Sequence, residues 1–87
     1  MARIFIPAPW RDLTGGLAEV QLDGSSLGQI VVALDARFPG VAARICDGPG
    51  IASGLAVSID GAMTSRGMLA PVGRHSEIHF LPAIGGG

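Results

Sequence analysis

The sequence has no lysine and one cysteine, and each scarcity removes a class of chemistry. All six basic residues are arginine, scattered from Arg3 to Arg74. Without lysine the chain offers no side-chain amine for an isopeptide bond or a Schiff base. With Cys46 alone, an internal disulfide and any iron–sulfur cluster held by several thiolates are excluded. No apolar run approaches the ~18 residues that would span a bilayer. The start, MARIFIPAPW, has too short an apolar stretch for a signal peptide, and Pro7 and Pro9 interrupt it. A soluble, cytoplasmic protein without a membrane partner is expected. Net charge is −1, so nothing marks a nucleic-acid partner, which would want a clustered basic face.

What is present fits one domain. Eighty-seven residues with 48% hydrophobic content support a single modest core and leave no room for a second. Arg3-Ile4-Phe5-Ile6 is a short β-type run closed by Pro7 and Pro9. Trp10 to Gly16 reads as a loop ending in a turn. Ala18, Val20 and Leu22 alternate with Glu19, Gln21 and Asp23, which predicts a strand with one wet face. Leu27, Ile30, Val31, Leu34 and Phe38 recur at helical spacing, behind Ser26 as cap with Gln29 completing a capping box. Pro39-Gly40 ends that helix, and Val41 to Cys46 adds a short further turn.

Asp47 to Gly54 is loop by composition. Leu55 to Asp60 alternates again and turns at Asp60-Gly61, a strong hairpin signal, into Ala62-Met63-Thr64. Glu77 to Leu81 is the last strand, and Pro82 ends it because it has no N–H for a ladder. The order is β-β-α-β-β-β. The first and last strands carry apolar residues on both faces, so they belong in the middle of a sheet. The expected class is α+β: a β-grasp, with a mixed sheet, central parallel terminal strands and one main helix.

Three suggestive motifs have plainer explanations. Gly24-Ser25-Ser26-Leu27-Gly28 matches a nucleophile elbow, but 87 residues cannot build the hydrolase sheet, and Ser26 is explained as a cap. His75, His79 and Cys46 do not make the three or four placed ligands that zinc needs, so no metal is expected. Gly48-Pro49-Gly50 with Gly54 lacks the Lys-Ser/Thr ending of a phosphate loop. No carboxylate pair, triad or cofactor fingerprint remains. The chain does not read as an enzyme, and no permanently bound cofactor is expected.

The end of the chain is the informative part. Ala83-Ile84-Gly85-Gly86-Gly87 is expected to be a flexible Gly-rich tail on a body of residues 1–82. Fully extended, it reaches roughly 15 Å. Lacking Cβ atoms, its glycines can thread a narrow channel, and the Gly87 carboxylate is unhindered. Those properties suit a chain whose own end is another enzyme's substrate, made reactive by adenylation with ATP. With one helix covering one side, the opposite face of the sheet is left open around Phe5, Pro7, His79 and Leu81, joined by Met63. That is an expected docking surface.

These residues resemble the ThiS/MoaD ubiquitin-like sulfur carriers, over essentially the whole chain. The resemblance rests on the first strand followed by Trp10-Arg11-Asp12-Leu13-Thr14-Gly15-Gly16, and on the helix ending Ala36-Arg37-Phe38-Pro39-Gly40. It also rests on the Val57-Ser58-Ile59-Asp60-Gly61 hairpin and, most specifically, on Leu81-Pro82-Ala83-Ile84-Gly85-Gly86-Gly87. It implies that a ubiquitin-activating-like adenylyltransferase, using ATP and magnesium, adenylates Gly87. A sulfur donor then makes the thiocarboxylate, and the carrier delivers sulfur to a sulfur-accepting synthase subunit. Gly85 and Gly86 become the threading arm, and Phe5, Pro7, Met63 and Leu81, with Arg11 at the rim, the partner-binding face.

The closest types are the molybdopterin synthase small subunit and the cysteine-biosynthesis carrier. Two places depart from the family pattern: Gly73-Arg74-His75-Ser76 replaces an acidic turn, and Gly85 lengthens the arm. The alternatives are a ubiquitin-like modifier attached through Gly87 and a non-catalytic interaction subunit whose glycines are slack.

Overall fold

A computed structural model of the chain describes residues 1–82. The tail expected over 83–87, including Gly85, Gly86 and Gly87, lies outside the described residues. The elements in chain order are β1 (Ala2–Phe5), β2 (Glu19–Leu22), α1 (Leu27–Arg37), α2 (Val41–Ile45), β3 (Cys46–Asp47), β4 (Gly50–Ile51), β5 (Leu55–Ile59), β6 (Ala62–Met63) and β7 (Glu77–Pro82). Short 3-10 turns cover Ala8–Trp10 and Gly67–Leu69.

Five strands form one mixed sheet in the order β2-β1-β7-β5-β6. The two terminal strands are central and parallel, with Ile4 beside Ile78 and Phe5 beside His79. The other pairings, β1 with β2 and β5 with both β6 and β7, are antiparallel. This is the β-grasp arrangement that the two-sided apolar character of the terminal strands required. Ala2, Ile4, Val20, Val57, Ile78 and Phe80 point to one side, where Leu27, Ile30, Val31 and Leu34 of α1 close over them. Each of the Ile, Val, Leu and Phe side chains among them, when fully buried, contributes about 1.5–3 kcal/mol.

Local chemistry sets the boundaries. Ser26 caps α1 by accepting a hydrogen bond from the Gln29 N–H at 3.2 Å. The capping box is displaced by one residue, because Gln29 Oε1 accepts from the N–H of Ser25 (2.8 Å) rather than of Ser26. Asp35, near the end of α1, starts the next helix: its Oδ1 accepts from the N–H groups of Gly40 and Ala42, two donors the α2 N-terminus would otherwise leave unpaired. The Asp60-Gly61 turn has φ of 54° and 84°, the double left-handed backbone of a tight hairpin turn, tolerated by Asp and free for Gly.

Three expectations need correction. The stretch from Asp47 to Gly54 is not all loop: Cys46 pairs with Ile51 and Asp47 with Gly50, a two-residue hairpin around Gly48 at φ 65°. Strands that short carry no alternation to read. Ala18 does not belong to the buried face of β2; it is exposed and precedes the strand, although its carbonyl accepts from the Ile6 N–H at 2.8 Å. Trp10, read as the start of a loop, instead closes the Ala8–Trp10 3-10 turn; it is 8% exposed and packs on Phe80 with ring centroids 5.2 Å apart.

Candidate functional site

The face of the sheet away from α1 is built by the odd residues of β1 and β7. The register lines up one row across all five strands: Glu19, Phe5, His79, Ser58 and Met63. Phe5 and His79 are stacked, with ring centroids 4.3 Å apart and planes 3° from parallel. Arg3 lies over the Phe5 ring at 5.5 Å. Its guanidinium bonds the Glu77 carboxylate and stands 4.0 Å from that of Glu19, so the cation is pinned beside the aromatic pair. No side chain among the described residues hydrogen-bonds the His79 imidazole.

Toward the chain's end, Pro7 and Leu81 of this face border a cleft of ≈ 330 Å³ that also takes in Pro9 and, from the core side, Trp10, Leu55 and Phe80. Leu81 is 42% exposed, and its neighbour Pro82 pairs with Leu55 as the last described position before the glycines. Pro7 and Leu81 therefore gather at the end of β7, while Phe5 lies further back on the sheet beside His79. Met63, 57% exposed, shares the outward row but sits on the edge strand, three strands from Phe5. His79 and the buried Ser58 come between, so the patch is an aromatic stack with polar neighbours rather than one apolar field. Arg11 is exposed at the rim, its Nε donating to the Ile6 carbonyl at 3.1 Å.

Some of this could have been found by alternation alone, which places Ser58 and Ala56 outward once Val57 is inward. The cleft could not, because Trp10 reads as loop. Nor could a second apolar groove of ≈ 600 Å³ on the helix side, where Val32 (71% exposed) and Leu69 (83% exposed) face Ala33, Ala36 and Met68. Behind the site, Asp60 ties the β5–β6 turn to the start of β7. Its carboxylate accepts from Ser76 Oγ at 2.7 Å and from the Glu77 N–H at 2.9 Å. Those bonds, Ser76 foremost, hold the Asp60 carboxyl below its ordinary value of 3.8. Among the described residues no three His, Cys, Asp or Glu side chains gather as a metal cluster, and no helix is long and apolar enough to cross a membrane.

A central parallel pair of terminal strands, an open face and a chain that runs from that face into glycines define a ubiquitin-like β-grasp protein. The sequence profile of the ThiS family matches residues 4–87, so the chain belongs to the ThiS family, the ubiquitin-like sulfur carriers. The match runs through the tail to the last residue. Comparison with the curated proteins gives no match. Among solved structures, a chain of the Amycolatopsis orientalis BexX/CysO complex is 26% identical, with a TM-score of 0.92 over 100% of both chains. Mycobacterium tuberculosis CysO is 22% identical, with a TM-score of 0.89 over 97% of this chain and 100% of that one. The small archaeal modifier protein 1 from Methanosarcina acetivorans is 19% identical, with a TM-score of 0.79 over 99% and 95%. The last two are likenesses of fold.

Proposed function

We propose that this sulfur carrier works through a folded body of residues 1–82 and an arm of residues 83–87. Gly87 is the carrying residue and Gly85 and Gly86 the threading arm. The single observation that carries the reading is the family match that includes the terminal glycines, on a body whose open face leads into them. A carboxylate resists nucleophiles until its oxygen becomes a leaving group. Adenylation by a ubiquitin-activating-like partner, with ATP and magnesium, supplies that. Sulfide attack on the acyl-adenylate carbon then releases AMP and leaves the thiocarboxylate.

The chain's own residues do two things in this scheme. The Phe5–His79 stack, Pro7, Leu81 and Met63 form the contact face for the adenylyltransferase and for the sulfur-accepting enzyme, with Arg11 at its rim. Stacked rings present area at little entropic cost. The glycines contribute a backbone that enters a channel too narrow for side chains. That a 26% identical relative was solved in a complex, BexX/CysO, supports a protein partner. Of the family's two nearest pathways, the CysO likeness favours the cysteine-biosynthesis type over the molybdopterin type.

The test is ATP–pyrophosphate exchange with the candidate adenylyltransferase. Exchange with the full chain, and none once Gly87 is deleted, is the expected result. Equal exchange by both chains would remove Gly87 from the reaction. Amide-linked products on other proteins in the same mixture would mark a modifier instead.

A further inference from the structure

Strand β2 is an outer strand of the sheet. The Arg3 N–H donates to the Ser76 carbonyl at 2.8 Å, which turns the backbone groups of Arg3 and Phe5 toward β7. Those of Ala2, Ile4 and Ile6 face β2 instead, and the Ile6 N–H donates to the Ala18 carbonyl at 2.8 Å. Ile4 stands opposite Val20 and Ala2 opposite Leu22, so Val20 and Leu22 are the residues of β2 that bond to β1. The N–H and C=O groups of Glu19 and Gln21 point the other way, out of the sheet's edge. Both residues are exposed, and no hydrogen bond between described residues uses those groups.

This edge is unguarded. Sheet edges are commonly blunted by proline, lysine, a bulge or extreme shortness. Strand β2 has no proline or lysine, and its register with β1 runs from Glu19 to Leu22 without a bulge. The opposite edge, β6, is only two residues long.

Charge selects the occupant. The side chains of Glu19 and Gln21 lie on the open face, and Asp23 continues the alternation, exposed like both of them. Arg3 bonds Glu77 and stands 4.0 Å from Glu19. Setting Arg3 and the Met1 amine against Glu19, Asp23 and Glu77 leaves the edge negative. A second copy does not fit. Two β2 strands paired antiparallel bring Glu19 and Asp23 of each copy to one seam, like charges opposite or diagonal to one another.

We propose that β2 is the docking edge for an extended basic segment of a partner protein, paired antiparallel as a further strand of the sheet. Antiparallel pairing is the more stable geometry per residue. Main-chain bonds to Glu19 and Gln21 hold the segment, and arginine or lysine opposite Glu19 and Asp23 sets its identity. The residues between fall beside Val20 and Leu22, on the α1 side, where apolar side chains fit. The added strand extends the row of Glu19, Phe5, His79, Ser58 and Met63 by one place. Strand β1 separates it from β7, so the end of β7 stays uncovered. The proposal holds whether or not Gly87 is the carrying residue.

The probe is a capped synthetic peptide of alternating arginine and valine, long enough to span Glu19–Leu22. A glutamate–valine peptide of the same length is the control. Each is titrated into the full chain and followed by amide NMR and hydrogen exchange, with no activating enzyme present. The arginine–valine peptide is expected to slow exchange at Glu19 and Gln21 and to bind about ten-fold more tightly than the control. Gln21→Pro deletes one outward N–H and leaves the bonds to β1, so it should melt like wild type and lose that protection. The peptide tests the same ladder from its own side. N-methylation of its arginine amides should abolish binding, and N-methylation of its valine amides should spare it. Glu19 and Gln21 amides left unprotected, equal binding of the control peptide, or equal binding of the two methylated peptides would each overturn the proposal. So would protection of those amides in the chain alone as its concentration rises, the mark of self-pairing.

Discussion

Asp60 joins backbone chemistry to charge at one position. It occupies the left-handed region at φ 54°, and its carboxylate accepts from Ser76 Oγ and the Glu77 N–H. Because the folded carboxyl titrates below its ordinary value of 3.8, the charged form stabilises the fold above that value, and the contribution is lost as pH falls through the lower, folded one. Asp60→Asn keeps the turn but loses the charge. Its melting temperature should lie below wild type near neutral pH, with the gap closing under strong acid; a gap that does not change with pH would remove the carboxylate from the account. On the open face, Leu81→Glu and Met63→Glu place charge where contact is expected. Both residues are exposed, so melting should hardly change. Adenylation of Gly87 should fall for Leu81→Glu, beside the tail, more than for Met63→Glu on the edge strand; equal or absent losses would move the contact face elsewhere.

The elements show why some of the chain was legible and some was not. Helix α1 announces itself through four buried side chains at helical spacing and a serine cap, all local signals. Removing that cap with Ser26→Ala should cost about 1 kcal/mol by chemical denaturation. Removing packing with Leu34→Ala, a fully buried site, should cost about 2–5 kcal/mol. If the cap costs as much as the core leucine, the helix is held by its end rather than by its face. Strands β3 and β4 were hidden for the opposite reason: two residues each carry no period, and the Gly and Pro between them dominate the composition. Trp10 was hidden because its burial comes from Phe80, seventy residues away, and no local pattern encodes that contact.

At the scale of the molecule, the two ends of the sequence make one device. The terminal strands pair in the middle of the sheet, so β7 emerges from the most constrained part of the fold and delivers its last residues beside the Pro7–Leu81 cleft. Sheet order was legible because strands apolar on both faces must be central. The location of the open face followed from having one main helix for two faces. Its composition did not, since the stacking of His79 on Phe5 and the pinning of Arg3 by Glu77 depend on register. The family match covers residues 4–87, and the proposed function treats body and tail as one unit.

The measurement that bears most directly on that unit is the intact mass of the chain purified from its native host, with the C-terminal peptide mapped, repeated after incubation with ATP, a sulfide source and the adenylyltransferase. The account predicts a mass gain equal to exchanging one oxygen for sulfur, confined to the peptide that ends in Gly87 and absent when Gly87 is deleted. An unchanged mass in the presence of an adenylyltransferase shown to be active would contradict it.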